Sequence, residues 1–436
     1  MKYKPYEFKA QDAYDFARHV HIEAHEHGGE LFFKTCPYCN PRPTRDNLKT
    51  FSINLSTGQF KCLRASCGRS GNMIVLSQDF DFSLGNPDLD PPKEVVDAIL
   101  EVAKDTTHGC HGYMPNAGYP EARLAMAEKV SGEQTVKLEE KNIVMTVGAA
   151  SALNCVFKSI LSSGDEVIVP APFFAEYRHY VANFGGKLVE VPTKADFSLD
   201  VQAIEKMLSP KTAAVLINTP NNPTGKIYSE SDIEELAAAL KKHGNSCGRM
   251  PYLICDEPYR AIVYDGAKVP PVFPKYENAV VVSSFAKDLS IPGERIGYIA
   301  VNPKCEDSDE FISACTFCLR TLGCVNAPAF FQKVVAKSWN AKVDYSSYAR
   351  RRDLLMAILD KAGFEYCRPQ GAFYLFVKVP SRWNDDDSAF CDYLKKFFIL
   401  SAPGNGFGKK GYFRLAYCVS EKTIVNSEKA FIAAAK

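Results

Sequence analysis

Two basic side chains, eight positions apart, carry the clearest chemistry in this chain. Lys287 follows the mostly small residues Ser283 to Ala286, and Arg295 follows in a Pro-Gly-Glu-Arg segment. A lysine held among small residues can bind an aldehyde cofactor as a Schiff base, while an arginine can bind the phosphate of that cofactor. Either residue alone could be a surface cation, so the other contacts must come from elsewhere in the chain.

Small and aromatic residues after two earlier apolar runs suit other parts of such a cofactor. Gly148 to Ala152 open a predicted helix with small side chains, so its backbone N–H groups and positive end can receive a phosphate. Phe174, in Pro-Ala-Pro-Phe-Phe, lies where a pyridine ring could stack on it. Each feature by itself also suits ordinary packing of a helix or a core.

Three polar side chains after later apolar runs are more specific. Asn222, in Asn-Thr-Pro-Asn-Asn-Pro-Thr-Gly, can offer its amide to the phenolic oxygen of a pyridoxal ring. Asp256 opens the segment Asp-Glu-Pro-Tyr, and a carboxylate there can keep the pyridine nitrogen protonated, which makes the ring an electron sink. Tyr259 ends that segment and can hydrogen-bond the same phenolic oxygen. With Lys287, these residues predict a pyridoxal phosphate site.

The elements that must position these residues are also readable. From about residue 80 the chain alternates apolar runs with amphipathic segments, which is typical of a mostly parallel sheet covered by helices on both faces. Ligands of such sheets bind beyond the carboxyl ends of the strands, where each candidate residue is expected. The predicted strands are 142–147, 166–169, 213–217, 252–255 and 279–282, and predicted helices between them include 151–161 and 230–242.

These motifs, in this order, resemble the fold-type I pyridoxal-phosphate-dependent aminotransferases of class I/II, over residues of about 82 to 436. The resemblance implies an α/β fold with a central, mostly parallel sheet and a small α+β domain, here preceded by a small zinc ribbon. It implies that Lys287 forms the Schiff base and moves the proton. It also implies that Asp256 and Tyr259 act with Lys287 at the cofactor ring.

The same resemblance implies the remaining contacts. The phosphate would be held by the backbone of Ala149 and Ala150 and by the side chains of Ser284 and Arg295, and the ring by Phe174 and Asn222. The substrate would be held by Gly85, Asn222 and Arg414, with Arg414 gripping its α-carboxylate as a bidentate pair. Tyr113 resembles a tyrosine that reaches the phosphate of the neighbouring subunit, which implies a homodimer with shared sites.

Four cysteines near the N-terminus have metal-type spacing. Cys36 and Cys39, then Cys62 and Cys67, form two close pairs that can present four thiolates tetrahedrally to zinc. Residues 50–62 read as a hairpin that brings the pairs together. The segment of about 30–77 resembles the zinc-binding domain of bacterial and phage-type DNA primases, which implies nucleic acid as a partner. Chance spacing among 15 cysteines is the alternative interpretation.

Composition sets the broad class. A chain of 436 residues, 46% hydrophobic and 24% charged, is ordinary for a globular protein with a large core. The net charge of +1 excludes a basic surface over the whole protein, although residues 1–77 carry 11 Lys/Arg against 7 Asp/Glu. No apolar run has membrane-spanning length and no signal peptide is recognisable, so we expect a cytoplasmic protein with reduced thiols.

Three domains and one leading function follow. We expect a zinc-ribbon-like domain at 1–77, a large cofactor-binding domain at 121–309, and a small aminotransferase domain made of 78–120 and 310–436. The leading function is transfer of an amino group from an L-amino acid to a 2-oxo acid. The alternatives are a pyridoxal-phosphate-dependent C–S lyase on the same fold, and a nucleic-acid-binding regulator or a fusion carrying a zinc ribbon.

Overall fold

The protein is described by a computed structural model that covers residues 8–19, 22–34, 51–62, 70–71 and 81–435. These residues form three β-sheets, with five, seven and three strands in chain order. None of the helices in this part of the chain is long and apolar enough to cross a membrane. The seven-stranded sheet carries the candidate site at one edge.

The N-terminal unit is a helix followed by an antiparallel meander. Its elements are α1 (Ala10–His19), β1 (Ala24–His27), β2 (Glu30–Phe33), β3 (Phe51–Asn54), β4 (Phe60–Cys62) and β5 (Ser70–Gly71). The predicted hairpin is confirmed, because β3 pairs antiparallel with β4. Alternate residues of β2 and β3 point into a small apolar core with Phe16 of α1. That core also includes Phe398 from the C-terminal part, whose ring centroid lies 5.7 Å from that of Phe16.

Most of the predicted zinc site falls outside the described residues. Cys36, Cys39 and Cys67 are not among them, while Cys62 lies in β4 and is 2% exposed. Within the described ranges, no cluster of three or more His, Cys, Asp or Glu side chains could hold a metal ion. The zinc ribbon and its nucleic-acid partner therefore stay predictions.

The middle of the chain builds the large sheet and the helices around it. Its elements are α2 (Lys93–Ala103), α3 (Pro120–Gln134), β6 (Ile143–Thr146), α4 (Gly148–Ile160), β7 (Glu166–Ala171), α5 (Tyr177–Ala182), β8 (Lys187–Pro192), α6 (Val201–Met207), β9 (Thr212–Asn218), α7 (Glu230–Cys247), β10 (Tyr252–Asp256), β11 (Ala279–Ser284), α8 (Phe285–Asp288), β12 (Gly297–Val301), α9 (Ser308–Thr321) and α10 (Ala329–Ser338). The strand order is β6-β12-β11-β10-β9-β7-β8. Only the pairings of β12, with β6 and β11, are antiparallel in this sheet. The expected mostly parallel α/β sheet is thus present.

Alternate side chains of each central strand serve two different cores. In β10, Leu253 and Cys255 belong to one apolar cluster, whereas Ile254 belongs to the cluster on the other face. This is the period of two that a strand buried on both faces requires. The sheet is therefore held between two helical layers, which leaves the ends of its strands to face ligands.

The C-terminal part forms the three-stranded sheet, whose middle strand, Tyr412–Ala416, pairs antiparallel with both of its neighbours. The N–H of Phe82 donates to the carbonyl of Leu400, and its carbonyl accepts from Ala416, so the segment entering from the N-terminal unit lies against this sheet. The elements are α11 (Ser346–Ala362), β13 (Tyr374–Lys378), α12 (Asp387–Leu394), β14 (Ala402–Pro403), β15 (Tyr412–Ala416), α13 (Glu421–Asn426) and α14 (Glu428–Ala435). Short 3-10 turns lie at Glu140–Asn142, Pro292–Glu294, Ser381–Trp383, Lys395–Phe397 and Gly404–Phe407.

The predicted strands are all present, with ends that move by at most two residues. The helices are longer than predicted. The helix expected from residue 151 begins at Gly148, whose φ of +78° lets the chain turn directly from β6 into α4. The helix expected to end at residue 242 continues to Cys247 and stops at Gly248, which adopts the left-handed conformation favoured after a helix.

Candidate active site

The candidate residues converge at the carboxyl ends of four strands. Gly148 follows β6, Asp256 ends β10, and Lys287 lies in the single turn α8 that follows β11. Asn222 lies shortly beyond the end of β9. Because β9, β10 and β11 run parallel, their ends meet at one edge of the sheet. The sequence prediction of a single site at this edge is therefore consistent with the fold.

Lys287 is enclosed by aromatic rings and a backbone carbonyl. Its Nζ donates a hydrogen bond of 2.6 Å to the carbonyl of Gly85, and lies 5.3 Å from the ring centroid of Phe373 and 6.0 Å from that of Tyr259. Burial, aided by the nearby positive charge of Arg414, lowers the pKa of Lys287 to about 8. This amine therefore becomes neutral, and nucleophilic, at a lower pH than an exposed lysine does.

Asp256 is a buried carboxylate with one oxygen left without a donor. Its side chain is 5% exposed, and Oδ2 accepts a hydrogen bond from the hydroxyl of Tyr177. Among the described residues, Oδ1 has no hydrogen-bond partner. Burial raises the pKa of Asp256 to about 7, and the Tyr177 bond opposes that rise. A ligand that brings a proton or a cation to Oδ1 would satisfy this group.

Arg414 is a buried cation with no anion beside it. Its Nη1 donates to Asn222 Oδ1 at 2.9 Å and its Nη2 to the Ser83 carbonyl at 2.6 Å, while Nε has no partner among the described residues. The guanidinium carbon lies 4.6 Å and 4.8 Å from the ring centroids of Tyr374 and Phe407. In the described part of the chain its hydrogen-bond acceptors are an amide oxygen and a carbonyl, and no carboxylate forms an ion pair with it. A buried charge in this condition suits a site for an anionic ligand.

The first turn of α4 and Arg295 lie together as expected for a phosphate site. A Cβ at Gly148 would stand 3.0 Å from Nη2 of Arg295, so the guanidinium lies against the start of the helix. Ala149 and Ala150 occupy the next two positions, where backbone N–H groups lack partners within the helix. Ser284 is buried at the end of β11. Helix end, arginine and hydroxyl can jointly receive a dianion.

Two predicted residues are placed less directly. Phe174 is partly buried and packs edge-on against Tyr177, with ring centroids 5.5 Å apart. Tyr177 in turn donates a hydrogen bond to Asp256, so Tyr177 links Phe174 to that carboxylate. Tyr113 is 95% exposed and makes no contact with the site within this subunit. Its predicted contact is with the phosphate of a second subunit.

Two residues at the site escaped the sequence analysis. Tyr177 donates to Asp256 although it lies 79 positions earlier, and only its place three residues after Phe174 hinted at the site. Tyr374, in Gly-Ala-Phe-Tyr, forms a 2.9 Å hydrogen bond between its hydroxyl and that of Tyr259. No local pattern in the sequence indicates this bond, because the two tyrosines are 115 positions apart.

Taken together, a buried lysine, a buried carboxylate and a buried arginine at one edge of a mixed sheet are typical of an enzyme site that binds a charged ligand. The family model described as aminotransferase class I and II matches residues 77–427, and the chain belongs to this family. It is a pyridoxal-phosphate-dependent aminotransferase. The prediction of both the enzyme class and its fold is confirmed.

Individual relatives agree with this assignment. The probable aspartate/prephenate aminotransferase of Aquifex aeolicus is 32% identical over 79% of this chain and 88% of its own length. The solved structure of an amino transferase from Eubacterium rectale has a TM-score of 0.79 at 40% identity, covering 83% of this chain and 91% of that one. Thermus thermophilus aspartate aminotransferase with maleate has a TM-score of 0.74 at 30% identity, covering 83% and 94%.

The geometry fits the cofactor of this family at three independent points. The orphan Oδ1 of Asp256 suits a protonated pyridine nitrogen, because a buried carboxylate oxygen needs a donor. The start of α4 beside Arg295 suits a phosphate. The enclosed Lys287 amine, with its pKa lowered to about 8, suits an aldehyde.

Proposed function

We propose that Lys287 is the amine that binds the cofactor aldehyde, and that its Nζ removes and returns the α-proton of the substrate. The observation that carries this proposal is the enclosed amine itself, with its pKa lowered by burial and its position between the Gly85 carbonyl and the Tyr259 ring. An amine that titrates near neutral pH can both accept and donate a proton during turnover.

The remaining residues would hold the cofactor. When bound, pyridoxal phosphate supplies an aldehyde and a ring that takes up the electron pair left when the α-proton departs. Asp256 would accept a hydrogen bond from the ring nitrogen through Oδ1. Asn222 Oδ1 already accepts from Arg414, which leaves the Asn222 Nδ2 to donate to the phenolic oxygen beside the Tyr259 hydroxyl. Ala149, Ala150, Ser284 and Arg295 would hold the phosphate, and Phe174 would stack on the ring.

Arg414 would bind the α-carboxylate of the substrate. Its buried charge has no carboxylate partner in the described residues, and its Nε is left to donate. The aromatic rings of Tyr374 and Phe407 pack against the guanidinium and restrict its rotation. Gly85 would contribute backbone beside the same carboxylate, since its carbonyl lies against Lys287. These contacts place an amino acid with its α-carbon near the Lys287 amine.

The amino-group donors are inferred from the relatives. Their names include aspartate and aromatic amino acids, which can donate an amino group, and prephenate, a 2-oxo acid that can only accept one. We therefore propose that aspartate or an aromatic L-amino acid donates to a 2-oxo acid. A dicarboxylate donor would require a second arginine for its side chain. Arg123 is unsuitable for this role, because its guanidinium already binds the Ile143 carbonyl at 3.0 Å and Glu140 at 2.7 Å. Arg320 is exposed near the end of α9 and remains a candidate for a dicarboxylate side chain.

The visible absorption spectrum of the purified protein tests these assignments. With glutamate, aspartate, alanine and aromatic amino acids added in turn, the donor should convert the absorption of the lysine-bound cofactor to that of the amine form. Lys287→Ala should lack the lysine-bound absorption. Keto acid and ammonia released from a sulfur amino acid over many turnovers, without any 2-oxo acid acceptor, would instead establish the C–S lyase.

A homodimer with shared sites is part of the proposal. The 95% exposed Tyr113 supports it, because a large aromatic side chain standing in solvent suits burial against a second subunit. Mixed dimers of Lys287→Ala and Tyr113→Phe chains would contain one site with neither change. Activity recovered on mixing the two inactive or weakened variants would demonstrate sharing.

We also place the protein in the cytoplasm, which the free thiols from Cys110 to Cys418 support.

The N-terminal unit is proposed to be a zinc ribbon at 1–77 that binds nucleic acid. Support comes from the spacing of Cys36, Cys39, Cys62 and Cys67 and from the hairpin that ends at Cys62. One zinc per chain, lost in Cys39→Ser, and DNA binding that weakens with salt would establish the role of this N-terminal unit.

The domain limits proposed for the rest of the chain are 121–309 for the large domain and 78–120 with 310–436 for the small one.

A further inference from the structure

Two buried tyrosines join the large and small sheets inside the site. The hydroxyl oxygens of Tyr259 and Tyr374 are 2.9 Å apart, and the side chains are only 5% and 2% exposed. Tyr259 follows β10, whereas Tyr374 opens β13 of the three-stranded sheet. Among the described residues each hydroxyl has only the other as its hydrogen-bond partner. A change on one side of the site can therefore pass to the other through this bond.

Tyr374 also touches two further parts of the site. Its ring lies 4.6 Å from the guanidinium carbon of Arg414. Its hydroxyl occupies the space that a Cβ at residue 85 would need, so Gly85 must lack a side chain here. The carbonyl of that same glycine accepts the hydrogen bond from Lys287. One aromatic side chain thus packs against the segments that carry three proposed functional groups.

The number of protons fixes the direction of the tyrosine pair. A phenol has one proton to donate and can accept with its oxygen. In the proposed site the Tyr259 proton is directed to the phenolic oxygen of the cofactor, so the bond between the hydroxyls must be donated by Tyr374. We propose that Tyr374 is a positioning residue whose hydroxyl donates to Tyr259 and strengthens the hydrogen bond from Tyr259 to the cofactor's phenolic oxygen. The inference rests on the proposed roles of Tyr259 and Lys287.

The expected effect has a definite sign. An oxygen that accepts a hydrogen bond becomes a better donor, because bonds in a chain polarise one another. A stronger donor at the phenolic oxygen draws charge from it, and that oxygen then holds a proton on the Lys287 nitrogen less firmly. Loss of the Tyr374 hydroxyl therefore raises the pKa of the cofactor-bearing Lys287 nitrogen. The ionisable groups that surround the pair are Lys287, Arg414, Asp256, Glu176 and Cys418.

The test is a pH titration of the visible absorption of the holoenzyme in four variants. Tyr259→Phe should raise the midpoint by about one pKa unit or more, and Tyr374→Phe by about half a unit, because one hydrogen bond acting through another carries a fraction of its strength. The double variant should match Tyr259→Phe alone, since Tyr374 then has no hydroxyl to act through. Tyr417→Phe is the matched control, because its hydroxyl donates to the Ala372 carbonyl at 3.3 Å in the same core.

A second readout is independent of the titration. The equilibrium dissociation constant of pyridoxal phosphate from the apoprotein should rise a few-fold in Tyr374→Phe and stay unchanged in Tyr417→Phe. An unchanged titration in Tyr374→Phe beside a shifted one in Tyr259→Phe would overturn the inference and keep the role of Tyr259. Additive shifts in the double variant would also overturn it, because the two hydroxyls would then act separately. No shift in any variant would overturn the role of Tyr259 and the inference with it.

Discussion

Two groups of buried charges lie at the same strand ends. The charges of one group form ion pairs with each other, and those of the other group have no partner of opposite charge among the described residues. Along the chain, Asp256 is followed by Glu257, and Lys287 by Asp288. Glu257 forms an ion pair of 2.8 Å with Arg260, and the carboxylate of Asp288 lies 3.4 Å from the ammonium of Lys129. Lys129 also pairs with Glu133 at 3.0 Å. The first members of the two pairs, Asp256 and Lys287, have no opposite charge of the described chain within ion-pair distance.

This difference separates structural charges from those kept for a ligand. Asp256 is the last residue of β10 and Glu257 follows it, and the two side chains enter different environments because successive side chains of extended backbone point to opposite sides. Glu257 and Asp288 each lie beside a cation, and this attraction offsets part of the free-energy cost of burying the charges. At the ends of the strands Asp256, Lys287 and Arg414 remain without counter-ions from the described part of the chain, which leaves them ready for a charged ligand. Burial raises the pKa of Asp256 and lowers that of Lys287.

The largest effect is expected from Lys287→Ala. Activity with the best donor should fall on the order of a thousandfold or more, because the amine that binds the aldehyde and moves the proton is lost. The free energy of unfolding of the apoprotein should be unchanged or higher, since burial disfavours the charged amine. Steady-state kinetics and urea denaturation measure the two. A clear loss of stability would place Lys287 with the structural charges instead.

Arg414→Ala should lower kcat/KM for the amino acid about a hundredfold or more, because two charge-assisted hydrogen bonds to the carboxylate are lost. Arg414→Lys should recover only part of this, since an ammonium cannot form the bidentate pair. An amine substrate without a carboxylate is the control and should react equally slowly with all three proteins. Equal losses for substrates with and without a carboxylate would contradict the assignment.

Lys129→Met addresses the other side of the comparison. Its side chain is 13% exposed, and its removal leaves Glu133 and Asp288 without their shared cation. We expect the free energy of unfolding to fall by about 3 kcal/mol. Lys141→Met is the control, because the Lys141–Glu139 pair is 4.0 Å long and more than half exposed, and its loss should change stability by less than about 0.5 kcal/mol. Similar stabilities for both variants would remove the distinction.

The smallest effect concerns pH. Burial raises the pKa of Asp256 from 3.8 to about 7, so between these values the folded apoprotein holds a proton that the unfolded chain releases. Stability from this group is therefore present at low pH and is lost as pH rises towards 7. Asp256→Asn should reduce the fall in unfolding free energy between pH 5 and pH 7 by about 2 kcal/mol. Denaturation of the apoprotein at both pH values tests this. If the unfolding free energy of the variant falls as much as that of the wild type, Asp256 is already ionised in the folded apoprotein at pH 5.

Much of the fold could be read from local patterns. Runs such as 213–217 and 279–282 are continuously apolar, and a parallel sheet buried on both faces requires such runs. The order of motifs then placed Asn222, Asp256 and Lys287 at one sheet edge. The start of α4 was misplaced by three residues because small side chains leave no apolar period to mark where a helix begins. The N-terminal ligand set remains a prediction, since three of its cysteines fall outside the described residues.

The sequence by itself determined which chemical groups the site contains and the strand after which each one comes, because those features depend on neighbouring residues. Tertiary structure alone decided which groups meet. Asn222 and Arg414 are 192 positions apart, and Tyr259 and Tyr374 are 115 apart. It also decided which charges would lack a partner, as Asp256 and Glu257 are adjacent yet only Glu257 receives an arginine. Burial and distance set these outcomes, and both depend on the packing of the whole chain.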